Sequence, residues 1–178
     1  MSVEIVFETH SVSADNELGI ATGWLDGRLS ETGKRLAKEL GERRRADEIA
    51  AVFTSDLRRA VETAEIAFGG SGVAIHRDRR LRECNYGVLN GKPVSQVAAE
   101  RSLRIDEPFP YGESYRQVVD RIQGFLDDLL PTFDGAQLVV IGHSATRWAL
   151  DHLLSGVALE DLVDAPFEWR EGWEYRLD

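Results

Sequence analysis

The hydrophobic pattern of this chain switches repeatedly between two periods. Short continuous apolar runs, VEIVFE at 3–8, IAAVFT at 49–54, VAIH at 73–76 and QLVVIG at 137–142, read as buried strands. Between them, apolar positions recur at helical spacing: Leu36, Ala37 and Leu40; Leu57, Ala60, Val61, Ala64 and Phe68; then Val118, Ile122, Phe125 and Leu129, widened by Val119 and Leu126. A last helix carries Trp148, Ala149, Leu153 and Leu154, and a short one is expected near 94–101. Ser30 suits an N-cap with Glu31 in the first turn, and that helix runs through ERRR to stop near Asp47. Ser55 or Asp56 suits the cap of the next helix, which Gly69 and Gly70 close. The long helix is expected over roughly 113–129. A polar, glycine-bearing loop follows His10 as far as Leu29, and an irregular, cap-like segment at about 84–112 is broken by Pro93, Pro108 and Pro110. The tail FEWREGWEYRL alternates large apolar with charged residues and reads as an antiparallel edge strand or hairpin.

Strands alternating with helices predict an α/β fold: a three-layer sandwich with a mostly parallel sheet covered by helices on both faces. No repeat or linker interrupts the pattern, so residues 1–178 read as a single domain. The formal net charge of -10 argues against nucleic acid, which asks for a basic footprint, and against an anionic membrane surface. An anionic small molecule would have to be held by a few cations focused in a cleft. One cysteine, Cys84, suits a reducing cytoplasm, and no stretch has the length or apolarity of a membrane span. The start MSVEIVFETH lacks the basic and apolar regions of a secretory signal.

Parallel α/β sheets bind ligands at the carboxyl ends of their strands. Two of the four histidines, His10 and His143, stand directly after apolar strands, and a third strand leads into Ser55, Asp56, Arg58 and Arg59. If the strands are parallel, two imidazoles and a guanidinium share one rim. Such a set suits phosphoryl transfer. A neutral imidazole can attack phosphorus, and arginine's planar fork matches phosphate oxygens. Helix N-termini near Ser55 and Ser144 would add N–H donors. Glu83 leads the candidates for the acid that protonates the leaving oxygen, with Glu113, Asp15 and Glu17 as competitors. His76 and His152 read as surface or packing residues, Arg43-Arg44-Arg45 as a solvated helix end, and Trp169, Trp173 and Tyr175 as sheet packing. The apolar edge strand of the tail also suits pairing with a second copy as a homodimer. No metal-ligand spacing is present.

These residues also resemble the histidine phosphatase superfamily, the phosphoglycerate-mutase-like group, from residue 3 to about 156. The family's strand ending in Arg-His-Gly, with Asn six residues on, is matched by FETHS with His10 and Asn16. TGWLDGRLSETG runs from Thr22 through Gly23 to Gly33; TSDLRRAVETA places the family's phosphate-binding arginine at Arg59. LRECNYG places the acid at Glu83 and a site tyrosine at Tyr86; GES at Gly112–Ser114 opens the long helix; VVIGHS carries His143. The resemblance implies a phosphomonoesterase of the small phosphatase branch, acting on a small phosphorylated metabolite with no cofactor or metal. It implies a phosphohistidine at His10, with Arg59, His143, Asn16, Thr22, Gly23, Tyr86, Ser11 and Ser144 around the phosphoryl group.

One departure stands at the motif's centre. The arginine before the first histidine is Thr9, and the following glycine is Ser11. Losing that cation removes a charge-assisted contact worth roughly 1.5–3 kcal/mol. Arg58, Arg82 or Arg147 would be the cations placed to compensate. The substitution also leaves open a weakened phosphoester-binding module, or an enzyme using His10 and His143 as acid and base on a non-phosphorylated substrate.

Overall fold

The computed structural model describes residues 1–178 throughout. Five strands form one sheet in the order β4-β3-β6-β1-β7, comprising β1 (Val3–Thr9), β3 (Ile49–Thr54), β4 (Ile75–Arg77), β6 (Gln137–Gly142) and β7 (Trp173–Leu177). β1, β6, β3 and β4 are parallel, and β7 runs antiparallel on the β1 edge. The mostly parallel α/β sandwich is therefore as expected, and the tail supplies an edge strand, not a hairpin.

The alternation along each strand divides the core. Val6, Val52, Val139 and Ile141 point to the face covered by α2 (Glu31–Arg43) and α3 (Arg58–Phe68), where Leu40, Ala60, Ala64 and Phe68 meet them. Ile5, Phe7, Leu138 and Val140 point to the opposite face, against α5 (Tyr115–Leu129) and α6 (Ser144–Ser155). There Ile122, Phe125, Leu126 and Leu150 are all at most 1% exposed, each worth about 1.5–3 kcal/mol of burial.

Local chemistry sets most helix starts. Ser30 caps α2 by accepting from the Gly33 amide. Ser114 caps α5 in a reciprocal capping box with Gln117, so this helix begins at Tyr115, just inside the expected span. Neither Ser55 nor Asp56 caps α3. Ser55 Oγ accepts from the Leu57 amide and tightens the turn before it, Leu57 is the capping residue, and Asp56 is drawn away by Arg82. The strand expected at 73–76 falls instead at Ile75–Arg77, where Ile75, His76 and Arg77 pair with Val52, Phe53 and Thr54 of β3.

The two irregular stretches are more ordered than their composition suggests. The loop after His10 holds a short helix α1 (Ala14–Leu18) and β2 (Ile20–Ala21). β2 pairs with β5 (Lys92–Pro93), which leads into α4 (Val94–Ala98) and a 3₁₀ turn at Arg101–Arg104. This pairing ties the loop after His10 to the cap-like segment on the same side of the sheet. A short helix α7 (Leu159–Leu162) completes the chain before β7.

Candidate active site

Strand register brings the two histidines together. In the β1–β6 ladder Thr9 pairs with Gly142, so the next residues, His10 and His143, leave the sheet side by side. The His10 amide donates to Gly142 O at 2.9 Å, and the ring centroids lie 5.0 Å apart. The Ser55 amide donates to Ile141 O, which seats the β3–α3 turn on the same rim and delivers Arg59 in the first turn of α3.

His10 Nδ1 lies 2.7 Å from the backbone oxygen of Ser11. A carbonyl only accepts, so Nδ1 carries the proton and the lone pair sits on Nε2. Surrounding protein, and next the charge of Arg59, push its basicity down to about 3, so the ring is neutral at physiological pH. His143 is 1% exposed and also held neutral, mainly by burial, with Arg59 and His10 adding to the effect. Neither of its ring nitrogens has a protein partner. Arg59, 3% exposed, donates Nη2–H to Gly23 O at 3.0 Å and leaves Nη1 unpartnered. The Gly23 turn requires a glycine: φ is +56°, and a Cβ would lie 1.8 Å from Asn90 Oδ1.

Glu83 is 8% exposed and held from several sides. Its Oε1 accepts from the Cys84 and Ala145 amides at 2.8 and 3.2 Å. Its backbone oxygen accepts from Trp24 Nε1 and Arg121 Nη2. Burial pushes its carboxyl above the usual range, while the Cys84 amide and Arg59 pull the other way. Cys84 is buried, with its thiol pushed up by the same desolvation, and is no thiolate.

One cavity of about 700 Å³ is lined by every site residue expected from sequence: His10, Ser11, Asn16, Thr22, Gly23, Arg59, Glu83, Tyr86, His143 and Ser144. Their free groups differ. Asn16 uses Oδ1 in the capping box of α1, which leaves its amide nitrogen free, and Thr22 donates to Asp15. Ser11 is committed within the protein: its hydroxyl donates to Gly33 O and its amide to Thr63 Oγ1. At the α6 N-terminus the Ala145 amide is taken by Glu83. Among the competing acids, Glu113 pairs with Arg121.

None of the three arginines named to compensate for Thr9 lines the cavity. Arg58 pairs with Glu62 and Asp26 at the surface, Arg82 forks onto Asp56 while stacking 4.7 Å over Trp24, and Arg147 lies over Trp173. Two others do line it, Arg101 from the 3₁₀ turn and Arg43 from the end of α2, each with a buried Nε that has no partner. Arg43 is thus no simple solvated helix end. Trp169 also lines the cavity at 59% exposure and is not sheet packing, whereas Trp173 and Tyr175 are buried as expected. Sequence carried no spacing signal for Arg43, Arg101 or Trp169, because long-range packing of loop segments delivers them.

Buried polar groups without partners are rare. Six residues carry such atoms, and four of them, Arg43, Arg59, Arg101 and His143, line this cavity, whereas Tyr115 and Arg147 do not. On a chain of net charge -10, the three arginines lining the cavity are the focused cations an anionic ligand needs. No cluster of His, Cys, Asp and Glu has the geometry of a metal site, and no helix is long and apolar enough to cross a membrane.

Comparison with known proteins agrees with this geometry. A profile described as Histidine phosphatase superfamily (branch 1) matches residues 5–168. The chain is 33% identical over 161 residues to a phosphoglycerate mutase of Candida albicans, covering 82% of this chain and 65% of that protein. It is 28% identical to phosphoserine phosphatase 1 of Hydrogenobacter thermophilus, covering 88% of this chain and 78% of that one. Among solved structures, Bacillus stearothermophilus YhfR superposes with a TM-score of 0.84 at 26% identity, covering 95% of this chain and 88% of that chain. The chain belongs to the histidine phosphatase superfamily, branch 1, and its enzyme class is that of the histidine phosphatases.

Proposed function

We propose that this protein is a phosphomonoesterase that hydrolyses a small organic phosphate through a phosphohistidine at His10. The observation that carries the proposal is the tautomer lock. Ser11 O fixes the Nδ1 proton, so a neutral imidazole presents its Nε2 lone pair beside two unpartnered donors, Arg59 Nη1 and His143.

In the first step His10 Nε2 bonds to phosphorus, and the bond from phosphorus to the ester oxygen breaks. The Glu83 carboxyl, whose hold on a proton is strengthened by burial, passes its proton to the departing oxygen. The positive charge that develops on the His10 ring is shared through Nδ1–H with Ser11 O. Arg59, His143 and the Asn16 amide hold the equatorial oxygens. In the second step water attacks phosphorus and gives a proton to the Glu83 carboxylate. The N–P bond breaks, releasing inorganic phosphate and neutral His10.

Relatives named as phosphoserine phosphatases and phosphoglycerate mutases support a small phosphorylated metabolite as substrate. Arg101, which lines the cavity beside Arg59, is the cation placed to make up for the one missing at Thr9. The test is a panel of phosphomonoesters with the native protein and His10→Ala. Hydrolysis that vanishes with His10 supports the proposal. Hydrolysis that survives in His10→Ala, or a panel without turnover, refutes it.

A further inference from the structure

The cavity extends well beyond the histidines. At about 700 Å³ it is of the size that encloses a drug-sized ligand, far more than a serine-sized leaving group needs. Its outer lobe runs between α2 and the segment before β7. α2 contributes Leu36 and Leu40 to its lining, and the segment before β7 contributes Phe167 and Trp169. Those two aromatics are 55% and 59% exposed and belong to neither hydrophobic cluster, so the fold does not require them there. Arg43 sits 5.8 Å over the Trp169 ring and is itself held by Glu8, which keeps the indole in place. The buried Arg43 Nε has no partner, so the apolar lobe also offers one hydrogen-bond donor. Thr9 lines the same cavity with a short side chain at the position where the family pattern carries a long arginine. A second depression, about 400 Å³ between α6 and β7, holds Asp151, Ser155, Arg170 and Tyr175 and none of the catalytic groups.

We infer that the outer lobe is the leaving-group subsite and that the substrate class is aryl phosphomonoesters, with a planar aromatic leaving group lying between Leu36/Leu40 and Phe167/Trp169. The inference rests on His10 as the nucleophile. The step is the one already given: the N–P bond forms, the P–O(aryl) bond breaks, and Glu83 supplies the proton that the aryl oxide takes up. The unpartnered Arg43 Nε selects rings that carry an acceptor at their far edge.

Phenyl phosphate and 2-naphthyl phosphate share leaving-group chemistry and differ in ring size, so their ratio of kcat/KM reads the lobe and not intrinsic reactivity. The native protein is expected to favour the naphthyl ester by about tenfold, through KM, as one more buried ring edge would provide. In the Phe167→Ala/Trp169→Ala variant the ratio falls to within about twofold of unity, and both side chains are exposed enough for truncation to spare the core. Equal rates on the two esters in the native protein, or a preference that survives in the double variant, overturn the subsite. His10→Ala run alongside separates the failures. If it abolishes hydrolysis while the naphthyl preference is missing, only the subsite falls; if it retains hydrolysis, the nucleophile falls first.

Discussion

Arg59→Met should make the protein more stable and nearly inactive. The guanidinium is 3% exposed, bonds only Gly23 O and leaves Nη1 unpartnered. Desolvating a cation costs several kcal/mol, and the single hydrogen bond returns about 1.5–3 kcal/mol of that. The nearest carboxyl is Glu83, which burial already pushes up and which Arg59 holds down. With the cation gone, burial alone sets the Glu83 carboxyl and favours its neutral form further, so removing Arg59 strands no charge there. Methionine fills a similar volume, and the net gain is set at about 1 kcal/mol, or roughly 2–4 °C in Tm for a chain of this size. The catalytic loss runs the other way. Two charge-assisted contacts to the phosphoryl group, at about 1.5–3 kcal/mol each, put kcat/KM down by roughly 10²–10⁴. Thermal unfolding of both proteins, with and without inorganic phosphate, tests both halves. The native Tm should rise with phosphate and the variant's should not. A variant several degrees less stable in anion-free buffer, or an equal phosphate response in both proteins, would show that the arginine is structural and refute the reasoning.

Further outcomes follow from the same structure. His10 is depressed to about 3 in the fold against 6.5 unfolded, so between those values the unfolded chain binds the extra proton and stability falls as pH drops through that window. His10→Gln should flatten the slope by up to about 1.4 kcal/mol per pH unit in acid-unfolding titrations, with the residual slope from His143. Glu8 is a 3%-exposed carboxylate between Arg43 and Arg44, so Arg44→Met leaves it short of a partner and should cost about 3 kcal/mol in denaturant melts. Glu8→Met should cost less, because Arg43 and Arg44 reach solvent. Gly33→Ala places a Cβ 1.8 Å from Val12 O, a backbone atom of the loop that carries His10, so both Tm and kcat should fall. In the pH profile of kcat/KM the alkaline limb should report Glu83, and Glu83→Gln should remove that limb together with most of the rate.

The layers of the fold were legible because β1, β3 and β6 are built on continuous apolar runs. The placement of His10 and His143 after two such runs was enough to predict a shared rim. Ladder register then makes them neighbours, since Thr9 pairs with Gly142. Glu83 led several candidate acids on local grounds and the family pattern singled it out, while its position depends on the Trp24 and Arg121 contacts to its backbone from distant segments. Arg43, Arg101 and Trp169 gave no local signal at all. They reach the cavity through α2's end, the 3₁₀ turn and the segment before β7, whose paths are set by tertiary packing. The expected cap at Ser55 or Asp56 failed for a similar reason: Asp56 is spent on Arg82, an ion pair 26 residues apart in sequence.

The account stands or falls on the bond between His10 Nε2 and phosphorus. Rapid quenching of a reacting phosphomonoester, followed by site-resolved mass spectrometry at alkaline pH, reads that bond directly. An acid-labile phosphoryl group on His10 that forms and decays at the turnover rate, and is missing in His10→Ala, is the predicted result. Turnover with an unmodified His10, or a phosphoryl group on another residue, would contradict it.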